Sequence, residues 1–176
     1  ALSNTSSQMT VGMGSLGTLQ YNNIGGSKAN AIDDITPNAY NETWDGLSSS
    51  NTRNNGSFFG SLTSSGSVDY RIPTQDVGGM TVNASVTYDP NPGGAAAKGG
   101  VAAANGGSGV AYTLQVAHES GLEIGLGHEE QDKQHNETSA GNGQNATGYI
   151  KYAAGGLSVA YQEAYQDTAT DGISKT

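Results

Sequence analysis

Met80-Thr81-Val82-Asn83-Ala84-Ser85-Val86-Thr87-Tyr88 decides the fold class. Apolar and small polar side chains alternate along it with a period of two, so one side of the backbone is apolar and the other polar. That is the signature of a β-strand. The same pattern recurs outward in both directions. Upstream, Val68, Tyr70 and Ile72 alternate with Ser67, Asp69 and Arg71, and Pro73 ends the run. Further back, Met9, Val11 and Met13 alternate with small or polar residues, and Leu19 and Tyr21 follow a turn at Gly14 to Gly17. Downstream, Val110, Tyr112, Leu114 and Val116 form one face, then Leu122, Ile124 and Leu126 after the turn at Glu119-Ser120-Gly121. Ile150, Tyr152, Leu157, Val159 and Tyr161 share the apolar face of a last hairpin, joined at Ala154-Gly155-Gly156.

About eight strands are therefore expected, an all-β chain, with a helical turn or two at most, around Pro37 to Trp44. The connections alternate between short turns and long loops, the latter at Asn22–Ser65, Asp89–Gly109 and about His128–Asn145. The first is exceptional. It runs for over forty residues without strand alternation, yet holds the single Trp, both Phe residues and the carboxylates Asp33, Asp34, Glu42 and Asp45. A loop that long in a compact domain is usually functional.

Composition narrows the classes. With 176 residues there is room for one domain. Only 13% of residues are charged, about half the usual share. The net charge of −9 disfavours nucleic acid, which requires a basic stripe. The absence of Cys excludes a disulfide framework and a thiolate metal site. No stretch approaches the ~20 apolar residues of a membrane-spanning helix.

Alternation alone suits either a sheet packed on a second sheet or a barrel in lipid. Three details favour the barrel. The polar face is small and uncharged, made of Thr, Asn, Ser, Gln and Gly. Tyr recurs near strand ends at Tyr21, Tyr70, Tyr88, Tyr112, Tyr152, Tyr161 and Tyr165, as in an interfacial girdle. Short turns and long loops segregate to opposite ends. The alternative is a β-sandwich structural protein of a surface layer or filament.

Gly14-Ser15-Leu16-Gly17-Thr18-Leu19-Gln20-Tyr21, the acidic Asp33-Asp34-Ile35-Thr36-Pro37-Asn38-Ala39-Tyr40 with Trp44-Asp45-Gly46, and Ser67-Val68-Asp69-Tyr70-Arg71-Ile72-Pro73 before Gly78-Gly79-Met80-Thr81-Val82 together resemble the general bacterial porins of alphaproteobacteria. The resemblance implies a transmembrane antiparallel β-barrel of the 16-stranded kind, with 22–65 as an inward-folded constriction loop. It implies a homotrimer in the outer membrane of a Gram-negative bacterium, passing small hydrophilic solutes and ions. Residues 1–176 would be a single barrel domain, the central portion of a longer chain lacking N- and C-terminal strands. Asp33, Asp34, Glu42 and Asp45 would narrow the pore and favour cations, opposite Arg71 and Lys151 on the wall. A solvated acidic loop, and local pairing of Arg71 with a carboxylate such as Asp69, are the plainer readings.

Other motifs carry less. Gly12-Met13-Gly14-Ser15-Leu16-Gly17 matches G-x-G-x-x-G but precedes a strand rather than a helix, so it reads as a hairpin turn. His118, His128 and His135 lack the spacing of a helical zinc site. Glu129, Glu130, Asp132 and Glu137 lie in one polar loop, where calcium bridging competes with plain solvation. No cofactor is expected, and no nucleophile or carboxylate pair marks an enzyme. N-x-S/T sequons start at Asn4, Asn41, Asn55, Asn83, Asn136 and Asn145.

Overall fold

The alternating runs all become strands. A computed structural model describes residues 7–24, 30–32, 35, 66–90, 107–133, 143–167 and 173–175. The strands are β1 (Ser7–Gly12), β2 (Thr18–Ile24), β3 (Ser67–Arg71), β4 (Gln75–Val77), β5 (Met80–Asp89), β6 (Gly107–His118), β7 (Leu122–Lys133), β8 (Gly143–Ala154), β9 (Leu157–Asp167) and β10 (Ile173–Lys175). All ten belong to one sheet in the order β1-β2-β3-β5-β6-β7-β8-β9-β10, with the short β4 paired to β5. Every pairing is antiparallel.

Turn chemistry sets the meander. Gly78 and Gly79 have φ of 58° and 80°, and Gly155 and Gly156 have 57° and 84°. Positive φ at both central residues defines the two-residue hairpin turn whose twist matches its strands. The segment 74–79 holds the short β4 and its hairpin to β5. Gly12 to Gly17 is a hairpin turn containing a short 3-10 segment (Gly14–Leu16). A Cβ at Gly17 would collide with the Arg71 carbonyl oxygen. β7 and β8 extend much further than the alternation shows, reaching Lys133 and Gly143 inside the stretch expected as a loop from His128 to Asn145.

The sheet is open. Among the described residues β1 pairs only with β2, and β10 only with β9, so the first and last strands never meet. This overturns the porin resemblance and the 16-stranded transmembrane barrel. It also removes what depended on a barrel: the channel for solutes and ions, the homotrimer, contact with outer-membrane lipid and the outer-membrane location. Lipid cannot hydrogen-bond the backbone of an open sheet edge. The physical reason for the difference is plain. Period two fixes which side chains share a face, and turn chemistry fixes which strands are neighbours, but neither encodes whether the last strand returns to the first.

The two faces have inverted burial. Direct cross-strand partners share a face, so Val82, Val116, Ile124, Ile150 and Tyr161 form one continuous apolar row across five strands. Tyr112, Leu114, Ile124, Leu126, Ile150, Val159 and Tyr161 on this face are all exposed. The buried residues are on the polar face: Gln20, Asn22, Ser67, Asp69, Thr87, Asp89, Thr113, Glu129, Asn145 and Thr147. The small apolar core sits there too, where Ile32 packs with Ala111 and Tyr149.

Candidate functional site

Polar groups removed from water need partners, because an unpaired buried group costs about 1–3 kcal/mol. The polar face supplies them from strand to strand. Asp69 on β3 accepts hydrogen bonds from Thr87 Oγ1 on β5 (2.5 Å) and from Arg71 Nη2 (3.0 Å). Ser85 and Thr113 share a hydrogen bond of 2.6 Å between β5 and β6. Asn145 Nδ2 donates to Glu129 Oε1 at 2.6 Å between β8 and β7. Gln20 Nε2 donates to Asn22 Oδ1 within β2.

Tyr149 is the centre of this face. Its hydroxyl donates to Glu123 Oε1 (2.6 Å) and accepts from Gln115 Nε2 (2.8 Å), linking β8, β7 and β6. The ring fills the space above Gly125, its direct cross-strand partner. Burial first, and then the Glu123 hydrogen bond, push its phenol well above the ordinary tyrosine value.

The long excursion after β2 enters this face. The 3-10 turn Asn30–Ile32 buries Ile32 fully. Gln162 on β9 clamps it: Nε2 donates to the Ile32 carbonyl (3.0 Å) and Oε1 accepts from the Ile35 amide (2.9 Å). The acidic residues expected at a constriction, Asp33, Asp34, Glu42 and Asp45, lie outside the described residues. Arg71 and Lys151 both lie on the polar face but are not brought together. They stand four strand spacings and several residues apart, about 20 Å or more across the sheet. Arg71 is held by Asp69, as its plainer reading had it. Lys151 sits opposite Glu123 in the β7–β8 register.

The remaining candidates resolve simply. Glu129, expected in a loop that could bind calcium, is a buried strand residue bonded to Asn145. Among the described residues no cluster of three or more His, Asp or Glu is placed to hold a metal ion. Asn145 is buried and its amide engaged, and Asn83 Oδ1 accepts from Thr74 Oγ1 (2.7 Å); the other sequons lie outside the described residues. Concavities flank the sheet on both sides. One of about 270 Å³, on the polar side, is lined by Arg71, Thr74, Asn83, Ser85, Thr113 and Gln115. A wider one of about 470 Å³ opens beside Gly148 and is lined mainly by the apolar side chains Leu126, Ile150, Tyr161 and Tyr165.

The feature that stands out chemically is the apolar face itself. It extends from Met9 and Val11 on β1 to Tyr161 on β9, with the exposed side chains facing the same way. Monomeric soluble proteins rarely leave contiguous apolar patches of more than a few hundred Å² in water. No family model, curated protein or solved structure matches the chain.

Proposed function

We propose that this chain is a non-enzymatic structural module of β-sandwich type, whose apolar sheet face packs on the same face of a second copy. The exposed apolar face carries this reading. Nine strands at about 4.8 Å spacing, with a rise of about 3.3 Å per residue, give it roughly 1,000 Å² per copy. A stable interface needs about 800 Å² per partner, so a self-paired face is large enough. Charge supports a second copy as the occupant. Asp69, Asp76, Asp89, Glu123 and Glu129 lie on the polar side, and Glu130 and Glu163 stand towards the margin of the apolar side, which leaves its middle around Val82, Val116, Ile124 and Ile150 free of charge. Two sheets packed this way would adopt the aligned sandwich arrangement, with interdigitating side chains about 10 Å deep. The depression beside Gly148 can accept a side chain from the opposing sheet.

Sedimentation velocity over a range of concentrations tests this. The protein should sediment as a dimer or larger. Ile124→Lys and Ile150→Lys, placed at the centre of the apolar face, should reduce it to monomer, while Thr81→Lys on the polar side should not. A wild-type monomer at every concentration, or assembly indifferent to both central lysines, would overturn the proposal.

A further inference from the structure

We propose that the cavity on the polar side of the sheet is a binding site for one neutral sugar ring, a hexose or a similar cyclic polyol. The inference goes beyond the assembly reading and uses the opposite side of the sheet, so the two can fail separately.

The site lies in the interior of the sheet. Thr18, Arg71, Ser85 and Thr113 are successive cross-strand partners from β2 to β6. Asn83 and Gln115 are partners in the next row on the same face, towards the short turns. Direct partners stand about 5 Å apart. The β1–β2 turn at Gly14 and Gly17 and the chain from Ile72 to Thr74 complete the lining. Both are held in place. The Tyr70 hydroxyl donates to the Leu16 carbonyl (2.8 Å), and Gly17 packs so closely on Arg71 and Pro73 that no Cβ fits there. The Ile72 amide donates to the Ala84 carbonyl (3.1 Å). A cleft whose lining is already fixed loses little order when a ligand enters.

Hydrogen bonding selects the ligand chemistry. Tyr149 directs its single hydroxyl proton to Glu123, so Gln115 reaches that oxygen only through Nε2. Gln115 Oε1 is thereby an acceptor of fixed orientation. Asn83 is the converse case. Its Oδ1 accepts from Thr74 Oγ1, which leaves the protons of Nδ2 as donors. Neither Gln115 Oε1 nor Asn83 Nδ2 has a partner among the described residues. The Ser85–Thr113 bond uses one of two hydroxyl protons, and the other remains for a ligand. A donor and an acceptor side by side suit groups that give and accept at once, as sugar hydroxyls do. A carboxylate or phosphate would set an anion against Gln115 Oε1, and an ammonium would leave Asn83 Nδ2 unmet.

Charge and size agree. Arg71 is the charged side chain of the lining, and Asp69 at 3.0 Å matches its charge, so the site is close to neutral. The cavity of about 270 Å³ has room for about nine waters at ~30 Å³ each. That accommodates one sugar ring and falls below the roughly 300–1,000 Å³ of sites for drug-sized ligands.

Saturation-transfer NMR on the full chain with D-glucose, D-galactose and D-mannose tests the site, with the affinity of each binder taken from a titration. At least one of the three should bind. Gln115→Leu and Asn83→Leu should each weaken binding about five- to tenfold, the effect of one lost hydrogen bond. Thr18→Tyr fills the cavity while sparing both amides, and should abolish binding. Thr74 is exposed, so Thr74→Val preserves the fold and should still weaken binding by loosening Asn83. Ile124→Lys, on the opposite face, should leave the affinity unchanged. Absence of binding by all three sugars, or affinity unchanged in Thr18→Tyr and Thr74→Val, would overturn the inference. So would a uronate that binds more tightly than its parent sugar. If no sugar binds while the oligomer that Ile124→Lys dissolves persists, this inference alone falls. Sugar binding by a chain that is monomeric at every concentration would uphold it and remove the assembly reading.

Discussion

Replacing Gly125 with alanine should cost more stability than almost any other single-methyl addition to this sheet. Gly125 faces Tyr149 directly across the β7–β8 ladder. A Cβ at Gly125 would overlap ring carbons Cε1 and Cζ of Tyr149 and stand 2.7 Å from its hydroxyl. The ring is not free to retreat, because its hydroxyl is fixed between Glu123 and Gln115 and the residue is only 4% exposed. Relief by rotation sacrifices the bond to a carboxylate, about 1.5–3 kcal/mol, and the neutral bond, about 1 kcal/mol. Relief by compression costs about 1–3 kcal/mol, as other overpacked sites do. Against this, removing a strand glycine recovers about 0.5–1 kcal/mol. The net expectation for Gly125→Ala is a loss of about 1–3 kcal/mol, which at an m-value of about 2 kcal/mol/M lowers the urea midpoint by about 0.5–1.5 M. The cause is isolated by repeating the change in a Tyr149→Ala background. With the ring gone, the added methyl has no ring to overlap, so the coupling in the double-mutant cycle should be at least about 1 kcal/mol. Additive effects, or a Gly125→Ala protein as stable as the wild type, would show that Tyr149 does not occupy that space.

The other expectations are independent of that pair or probe it differently. The phenol of Tyr149 is raised above its unfolded value, so its contribution is complete below pH about 10 and is lost as the pH climbs from there through the folded pKa. Stability measured from pH about 9 to 12 should therefore fall less steeply in Tyr149→Phe, and an absorbance titration should show one tyrosine ionising after the rest. Asn145→Ala removes a hydrogen bond from the buried Glu129 carboxylate and should cost about 1.5–3 kcal/mol in chemical denaturation. In a glycosylating host, mass spectrometry should find Asn145 unmodified in folded protein. Gly121→Ala combines a φ of +90° with a clash against the Ala153 carbonyl, and should lower stability by about 2–4 kcal/mol in thermal melts. Gln162→Ala should accelerate hydrogen exchange at the Ile35 amide, whose partner it removes, without changing exchange in the β5–β6 ladder; unchanged exchange at Ile35 would dismiss the clamp.

Alternation makes most of the sheet legible. Every run with clean period two, from Met80–Tyr88 outward, is a strand, and the Gly-Gly dipeptides at 78–79 and 155–156 fall at hairpin turns. The apolar residues share one face as read, and that face is exposed. Legibility fails where polar residues continue a strand. Glu129 and Asn145 look like loop residues because neither is apolar, yet they pair with each other in the middle of extended strands. Ile32 is hidden for the opposite reason. A single isoleucine in a polar run has no period, and its anchor, Gln162, is 130 positions away in sequence. One further signal lies in the sequence itself: alternation places Tyr149 on the polar face, opposite a strand glycine, and glycine in a strand interior often marks a close approach. Closure is not legible, because loop lengths, tyrosine placement and uncharged polar side chains all describe a two-faced meander, whether or not its ends join.

The inversion of burial explains why an open sheet of this sequence requires company. The polar face meets its hydrogen-bonding demand in part across its own strands, through Asp69–Thr87, Ser85–Thr113, Glu129–Asn145 and the Tyr149 cluster, and it also takes up Ile32. The apolar face has no such internal solution, because hydrophobic surface can be satisfied only by being covered. Pairing face on face uses that surface once in each copy and closes at two layers.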